Sequence, residues 1–250
     1  MKRLSKDGWE IYSCSEGYDI DDLLKCVDQF SLLEKGESVS MPESVSVLKS
    51  DYRSMVLKFY FKGQFLVAKC PREKHTRKWS QFVTKFKDSE VMTATKKMER
   101  IDRLALEGNK AIAVFEKRVK GMVVYSWQLY TFQEGGYPPI EEFYKVKVML
   151  QEIHRKGYLH GDSQIHNFLY TPEKKIAVID ADLKHNRLGS FGRSMEYEYL
   201  CRSHEAFRPL FVTESKRLSY KLYCFFKFLQ LRFRDIKKIR ELFGYKKNRL

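Results

Sequence analysis

The sequence predicts an α+β protein with a β-rich N-terminal half and a mainly helical C-terminal half. Short runs rich in Val, Phe and Tyr, separated by turn residues, occur before residue 133. The stretch QEGGYPP at 133–139 breaks this pattern, and apolar residues recur at helical spacing beyond it. We therefore expect residues 1–134 to form an N-terminal segment and β-rich lobe with one or two helices, and 135–250 a helical lobe.

The composition fits a globular protein of this size. Of 250 residues, 43% are hydrophobic and 32% charged, which allows a substantial core and is too polar for a membrane bundle. The basic N-terminus is not followed by an apolar stretch of signal-peptide length. The five cysteines form no CxxC pair, so neither a disulfide framework nor a cysteine zinc site is indicated. A cytoplasmic protein is expected.

In the N-terminal half, five strands are predicted after a charged opening segment. The first three form an antiparallel meander and the last two a strand pair: Val45–Lys49, Met55–Phe61, Gln64–Cys70, Ala111–Arg118 and Met122–Phe132. Between them, residues 78–106 contain no Gly or Pro and place apolar residues at helical spacing, which indicates one or two helices.

In the C-terminal half, residues 141–156 form a predicted amphipathic helix that ends at Gly157. The polar stretch HGDSQIHN follows at 160–167, and Lys175–Ile179 is a short apolar strand that ends at Asp180. From about Met195 the chain is predicted to be helical.

The stretch HGDSQIHN carries the candidate chemistry. Each polar residue taken alone is more simply a cap or a turn residue. Asp162, Asn167 and Asp180 together nevertheless supply a carboxylate to accept a hydroxyl proton, plus an amide oxygen and a second carboxylate for Mg²⁺. Lys69, in LVAKC, supplies a cation for phosphate. This set is what phosphoryl transfer from ATP requires.

The order of these motifs resembles the protein-kinase-like fold across most of the chain. The VAK strand, the HGDxxxxN loop and the strand ending in Asp carry this resemblance. The motif HGD, in place of HRD, resembles the corresponding motif of small-molecule and sugar kinases. The lead-in LQEIHRKGYLHGD, the VIDADLK segment and the QEG at the predicted hinge resemble the lipopolysaccharide core heptose kinases, specifically the heptose II kinase type.

The resemblance implies a role for each matching residue. Asp162 would be the catalytic base, Asn167 and Asp180 would hold Mg²⁺, and Lys69 would hold the α/β phosphates of ATP. His160 would brace the loop. A helix glutamate would pair with Lys69.

We expect that glutamate to be Glu90, with Glu99 as the alternative and a solvated helix charge as the simpler interpretation of either. The adenine would lie against a hinge and beneath apolar side chains, which predicts contacts from backbone groups of Thr131, Phe132 and Gln133 and from the side chains of Val47 and Ala68.

Three departures from the protein-kinase pattern bear on the substrate. The first meander turn, KSDYRSM, has no glycine, so a phosphate-covering Gly-rich loop is absent or altered. Gln164 stands two residues after Asp162, where protein kinases carry a lysine, which makes a protein substrate less favoured. Asp180-Ala181-Asp182 replaces DFG, and Asp182 is expected to solvate the loop.

The C-terminal stretch is strongly basic. From Lys216 to Leu250 there are twelve Lys and Arg residues against Asp235 and Glu241, interleaved with aromatic residues. A terminal helix packed on the lobe accounts for the aromatic residues, and its outward cations could also attract anionic lipids. Nucleic acid could bind the same positive charge, but no RNA-binding motif supports it, and no obligate protein partner is indicated.

His154, His160 and His166 recur every six residues, a spacing that does not match zinc ligands.

These patterns together predict an ATP- and Mg²⁺-dependent kinase that phosphorylates a heptose hydroxyl of the lipopolysaccharide inner core. It would work at the cytoplasmic face of the inner membrane. The alternatives are a small HGD-type atypical protein kinase acting in RNA modification or ribosome maturation, and a membrane-associated pseudokinase scaffold.

Overall fold

The computed structural model describes residues 1–37 and 45–242, with backbone only at residue 231 and residues 233–242. The strands, in chain order, are β1 (Lys2–Lys6), β2 (Trp9–Ser13), β3 (Val45–Ser50), β4 (Met55–Phe61), β5 (Gln64–Cys70), β6 (Ala111–Val119), β7 (Met122–Thr131), β8 (Tyr158–Leu159), β9 (Phe168–Tyr170), β10 (Ile176–Val178) and β11 (Lys184–His185). The α-helices are α1 (Ile20–Glu34), α2 (Arg72–Thr76), α3 (Lys78–Val83), α4 (Glu90–Arg103), α5 (Phe143–Arg155), α6 (Gly189–Ser203), α7 (Val212–Ser215) and α8 (Leu218–Leu242).

A seven-stranded antiparallel sheet dominates the N-terminal part of the chain. Its order is β1-β2-β6-β7-β5-β4-β3, and every neighbouring pair is antiparallel. All five predicted strands are present in it, within one residue of their predicted ends. The α+β fold class predicted from the sequence is confirmed by this sheet and by the helices that follow.

The charged N-terminal segment forms three elements that were not predicted. Strands β1 and β2 extend the sheet, and α1 covers one of its faces. The carboxylate of Asp19 caps α1 by accepting a hydrogen bond from the Asp21 N–H (2.8 Å). Leu23, Val27 and Phe30 of α1 are buried against sheet residues of the largest core cluster. This helix gives the sheet a closed apolar face.

Helix α4 lies on the opposite face of the sheet. Val91 and Met92 pack on Val114 of β6, and the Gln128 amide of β7 donates to the Thr95 hydroxyl (2.9 Å). The predicted helical region 78–106 is therefore divided into α3 and α4, with Ser89 as the cap of α4. The face that α4 covers is also the face on which Lys69 lies.

The chain divides into two compact units. The first contains Met1–Gly136 and Leu169–Ile179, and the second contains Tyr137–Phe168 and the residues from Asp180 onwards. In the first unit, backbone bridges join Gly108 to Val178 and Gly136 to Tyr170. The two lobes predicted from the sequence, 1–134 and 135–250, stay a prediction about domain organisation.

The second unit is built on buried aromatic contacts between helices. Phe143 of α5 stacks on Phe207, with ring centroids 4.2 Å apart, and Tyr197 of α6 stacks on Phe211 at 4.6 Å. Helix α8 packs against α6. None of the helices in the described ranges is both long and apolar enough to cross a lipid bilayer.

Candidate functional site

A buried carboxylate, Glu196 of α6, fixes the start of the HGDSQIHN loop. Its Oε2 accepts hydrogen bonds from the backbone N–H of His160 (3.0 Å) and from Nε2 of His154 (2.8 Å). Its Oε1 accepts from the N–H of Gly161 (2.6 Å), and the Ser163 hydroxyl donates to the Glu196 backbone carbonyl (2.9 Å). The Glu196 side chain has no exposed surface, so these partners replace water completely.

This anchoring role had no signal in the sequence. Glu196 lies in GSFGRSMEYEYLCRS, a helix whose residues show no clear apolar stripe. Nothing in that pattern separates a buried glutamate from an exposed one. Only the packing of α6 on the loop identifies Glu196 as a positioning residue.

Asp162 is exposed, and its neighbours within the loop hold it in place. The Asn167 amide donates to the Asp162 backbone carbonyl (2.8 Å), and the Gln164 amide donates to Asp162 Oδ1 (2.9 Å). Asn167 itself is 4% exposed. Because its Nδ2 is used within the loop, its Oδ1 is the atom left for a cation. The structure thus brings Asp162 and Asn167 together as predicted from their spacing.

Asp180 begins a segment that runs beside the same loop. It is exposed and has a left-handed backbone (φ 51°). Two residues later the Asp182 N–H donates to the His160 carbonyl (2.7 Å), and its carboxylate pairs with Lys184 (2.8 Å). Burial lowers the pKa of His160, against the opposing influence of Glu196 and of Asp162, Asp182 and Asp180. The Asp162 N–H also donates to His160 Nδ1 (3.3 Å), so buried His160 is bonded to both segments, which fits the bracing role expected of it.

The glycine of HGD is required by the position of this segment. Gly161 has φ 92°, and a Cβ placed on it would lie 2.5 Å from the Asp182 Cβ. An arginine at this position, as in HRD, would have both a strained backbone and a clash. The loop and the Asp180–Asp182 segment therefore pack more closely than an HRD sequence permits.

Lys69 lies in the first unit, in the middle of the sheet. It pairs with Val56 of β4 and Gln128 of β7. Side chains of residues paired across antiparallel strands lie on the same face, so Lys69 shares a face with Gln128 and with α4. No ion pair to Lys69 is found in the described ranges.

The register corrects two predicted nucleotide contacts. Ala68 is adjacent to Lys69 and so lies on the opposite face, fully buried in the core covered by α1. Val47 pairs with Leu57, which in turn pairs with Ala68, so Val47 belongs to that opposite face as well. The structure does not bring Val47 or Ala68 to the face of Lys69.

Two other valines occupy the face of Lys69. Val56 is its cross-strand partner, and Val67 lies two residues before it and is 3% exposed. Strand alternation counted from Lys69 would have identified Val67 from the sequence alone.

The predicted glutamate partner of Lys69 is not paired with it here. Glu90, at the first turn of α4, lies 3.8 Å from Lys74 Nζ, and both side chains are nearly half exposed. Glu99 lies near the Cys14 thiol; burial, with this carboxylate nearby, raises the pKa of Cys14 to about 12. Lys74 lies in α2, the helix that follows the strand of Lys69, so its pair with Glu90 places the start of α4 near the end of that strand.

The predicted hinge groups differ in their availability. The Thr131 N–H donates to the Lys110 carbonyl (2.9 Å), and the Thr131 carbonyl accepts from the Asn109 amide (3.0 Å). The Phe132 N–H donates to the Phe65 carbonyl (3.0 Å). Within the described part of the chain, the Gln133 N–H and the carbonyls of Phe132 and Gln133 have no such partner, so these are the groups that could contact an adenine.

The glycine-free turn between β3 and β4 is closed by its own carboxylate. Asp51 Oδ1 accepts hydrogen bonds from the N–H groups of Arg53 (2.9 Å) and Ser54 (2.8 Å). These bonds, first that from Ser54, lower the pKa of Asp51. In this turn a carboxylate takes the backbone donors that a Gly-rich loop would offer to phosphate.

Among the side chains that the structure describes, no cluster of three or more His, Cys, Asp or Glu residues is placed to hold a metal ion. The set Asn167 and Asp180 has one carboxylate and one amide. This fits Mg²⁺, which usually takes one or two protein ligands and completes its shell with water and substrate phosphates. His154, His160 and His166 do not converge on a metal, since His154 is bonded to Glu196 and Tyr197.

The protein is thus of the α+β class. Its first unit has an antiparallel sheet that carries Lys69, and its second unit has the anchored loop of Asp162 and Asn167, with Asp180 in the neighbouring segment. No family model matches the chain, and no curated relative matches it. Among solved structures it is similar to "WaaP in complex with acyl carrier protein". The identity is 16%, the TM-score 0.45, and the match covers 84% of this chain and 95% of that one.

Proposed function

We propose that this chain is an ATP- and Mg²⁺-dependent phosphotransferase that phosphorylates a heptose hydroxyl in the inner core of lipopolysaccharide. The observation that carries the proposal is the loop geometry. Asp162 is exposed, held through its carbonyl by Asn167 and through its carboxylate by Gln164, on a backbone anchored to buried Glu196. A carboxylate held in this way is suited to accept a proton from a hydroxyl group.

The chain's own residues divide the work as follows. Asp162 orients the acceptor hydroxyl and accepts its proton. Asn167 Oδ1 and the Asp180 carboxylate would hold Mg²⁺, and Lys69 would hold the phosphates. ATP supplies the γ-phosphoryl group when bound. Val56 and Val67 would cover the adenine, with the Gln133 N–H and the Phe132 carbonyl contacting its edge.

A sugar acceptor is favoured over a protein acceptor by Gln164. The side chain two residues after Asp162 is a neutral amide, and it hydrogen-bonds the carboxylate at 2.9 Å. It steadies Asp162 without adding a cation beside the transferring phosphoryl group. The heptose itself rests on the resemblance of the HGD lead-in and the VIDADLK segment to the heptose kinases.

The proposal places the chain on the cytoplasmic face of the inner membrane, where the acceptor glycolipid is assembled. The basic helix α8 would contribute to this association. Its side chains Phe225, Phe226 and Phe228 are more than half exposed, although Tyr223 is buried. Phe233, Ile236 and Ile239, which continue the apolar residues of this helix, lie outside the residues with described side chains.

A second candidate function is a pseudokinase scaffold, and the Asp51 turn favours it. The turn's donors are occupied by a carboxylate, which would repel phosphate. The melting temperature of the purified chain, measured with and without Mg-ATP, distinguishes the enzyme from the scaffold. An enzyme should be stabilised by Mg-ATP, whereas a scaffold should show no shift.

The test of the proposed reaction is mass spectrometry of the lipopolysaccharide core from matched strains with and without this protein. We expect loss of one phosphate from the core, restored by the wild type but not by Asp162→Ala. Glu173→Gln, a substitution at an exposed position, serves as the control and should restore it. Circular dichroism of the purified Asp162→Ala variant should be unchanged. An unchanged core in the strain lacking the protein would refute the heptose assignment.

A further inference from the structure

An exposed row of three aromatic rings lies on the first unit, outside the candidate site. We call Trp79, Phe82 and Phe86 the aromatic patch. Their side chains are 74%, 41% and 76% exposed. Trp79 stacks on Phe82 with ring centroids 5.6 Å apart, and Phe86 meets Phe82 edge-on at 5.6 Å. The rings therefore form one continuous apolar surface, unlike scattered single exposed residues.

The surroundings of the aromatic patch are basic. Residues 77–87 contain four cations and no acidic residue. Arg77 pairs with Glu73. In the described ranges Lys78, Lys85 and Lys87 have no acidic partner, and Lys85 Nζ lies 5.8 Å from the Phe82 ring centroid. Aromatic rings flanked by unpaired lysines are the combination that favours the interface of an anionic membrane.

The neighbouring hairpin extends this surface. The Val123 N–H at the start of β7 donates to the Thr84 hydroxyl (2.8 Å), which holds the β6–β7 turn against α3. That turn exposes Val119 at 52% and the adjacent Lys120. The turn adds one apolar and one cationic side chain to the same region of the first unit.

Beside Phe86 lies a shallow depression of about 640 Å³ with a mainly polar lining. Lys85, Lys87 and Arg118 line it, together with Asp88. The Asp88 carboxylate pairs with Lys96 at 2.6 Å, and Arg118 pairs with Glu116 at 2.6 Å. Of the described side chains that line the depression, Lys85 and Lys87 are thus the cations without an acidic partner, and they could meet a phosphate group next to an inserted ring.

We propose that the aromatic patch docks this protein on an anionic phospholipid membrane, with Trp79 and Phe86 inserted at the interface and Lys78, Lys85 and Lys87 contacting lipid phosphates. The residues of the patch belong to the first unit, whereas the basic helix α8 belongs to the second. The aromatic patch does not depend on the proposed reaction, since it would position any enzyme whose acceptor lies in a bilayer.

The patch contains its own reporter. Of the three tryptophans, Trp9 and Trp127 are buried, with 1% and 0% exposure. Trp79 alone is exposed, so a change in fluorescence on membrane binding comes from the patch. We would titrate the full chain with vesicles of phosphatidylglycerol and phosphatidylcholine, and with vesicles carrying brominated acyl chains.

The expected result is a blue shift of the emission and quenching by the brominated chains, strong with anionic vesicles and weak with pure phosphatidylcholine. Trp79→Phe should keep vesicle binding and lose the signal, which shows that the signal belongs to this ring. Salt should weaken the binding because the lysine contacts are exposed.

The variants measure the contributions separately. Replacing both Trp79 and Phe86 by Ser should lower vesicle partitioning by about tenfold or more. Replacing Lys85 and Lys87 by Gln should lower it about fivefold for each lysine. Tyr52→Ser is the matched control, since Tyr52 is 70% exposed elsewhere in the first unit, and it should change nothing.

Vesicle binding without quenching of Trp79 would place a different surface, such as α8, on the membrane and would overturn the proposal. Equal partitioning of wild type and the Trp79/Phe86 double variant would also overturn it. Failure of the heptose assay would leave these results untouched, so the two hypotheses fail independently.

Discussion

Replacement of Glu196 tests whether the candidate catalytic loop is held by a single buried carboxylate. The carboxylate accepts three hydrogen bonds, from His154 Nε2 and from the backbone N–H groups of His160 and Gly161. A hydrogen bond to a charged group contributes roughly 1.5–3 kcal/mol, and a buried donor left without a partner costs about 1–3 kcal/mol. Glu196→Ala removes all three bonds, which together contribute about 4.5–9 kcal/mol, so we expect a loss of at least about 4 kcal/mol in the free energy of unfolding.

Glu196→Gln preserves the shape of the side chain and should cost less. One oxygen still accepts a hydrogen bond, while the new amide group faces a donor N–H. We expect a loss of about 2–4 kcal/mol. Since domains are typically stable by about 5–15 kcal/mol, the glutamine variant should fold while the alanine variant is marginal.

The assay is urea unfolding of the full chain, combined with amide hydrogen exchange at His160 and Gly161. Both amides should exchange faster in Glu196→Gln than in the wild type. Glu152→Gln, at a surface pair with Arg155, is the control and should leave the unfolding midpoint unchanged. A glutamine variant within about 0.5 kcal/mol of the wild type, with unaltered exchange at both amides, would refute the anchoring role.

Two further predictions concern the first unit. Burial lowers the pKa of His75 to about 4, and its Nε2 lies 3.0 Å from the Ser126 hydroxyl. Protonation of His75 is therefore unfavourable in the folded state. The free energy of unfolding has its full value above pH 6.5, the pKa of an unperturbed histidine, and falls as the pH is lowered from about 6.5 to 4. The fall in the free energy of unfolding over that range is about 3 kcal/mol. His75→Phe should flatten the fall in unfolding free energy over that range, and an equally steep fall in the variant would contradict this assignment. For the proposed reaction, Glu90→Gln should lower kcat/KM by about tenfold or more, because the partner of Lys69 positions the phosphates. Glu99→Gln should leave kcat/KM near the wild-type value. The opposite result would assign the Lys69 partner to Glu99.

The sequence predicted the sheet well because its strands are rich in Val, Phe and Tyr and are separated by clear turns. It did not predict β1, because every residue of that edge strand is exposed and carries no alternation. Helix α1 did carry a signal. Leu23, Leu24, Val27 and Phe30 follow helical spacing after Asp19, a good N-cap, so the pattern of residues 19–34 does indicate a helix.

Within the candidate site, spacing along the sequence correctly predicted a contact between residues that are close in the chain. Asp162 and Asn167 are five residues apart and hydrogen-bonded to each other. The nucleotide contacts depended on which face of a strand each residue occupies, and the choice of Ala68 failed because adjacent strand residues point in opposite directions. The anchoring by Glu196 joins residues 35 and 36 positions apart, and no local pattern reports such a contact.

The return of residues 169–179 to the first unit has a consequence for dividing the protein. Strands β9 and β10 follow the HGD loop in the chain, yet their backbones bridge to Gly136 and Gly108, where an added Cβ on Gly108 would lie 2.6 Å from the Val178 carbonyl. A fragment ending at residue 136 would lose these strands to the other fragment. A single cut therefore cannot yield two complete units, and the two halves should regain their native form only by complementation, when they are produced together in one cell.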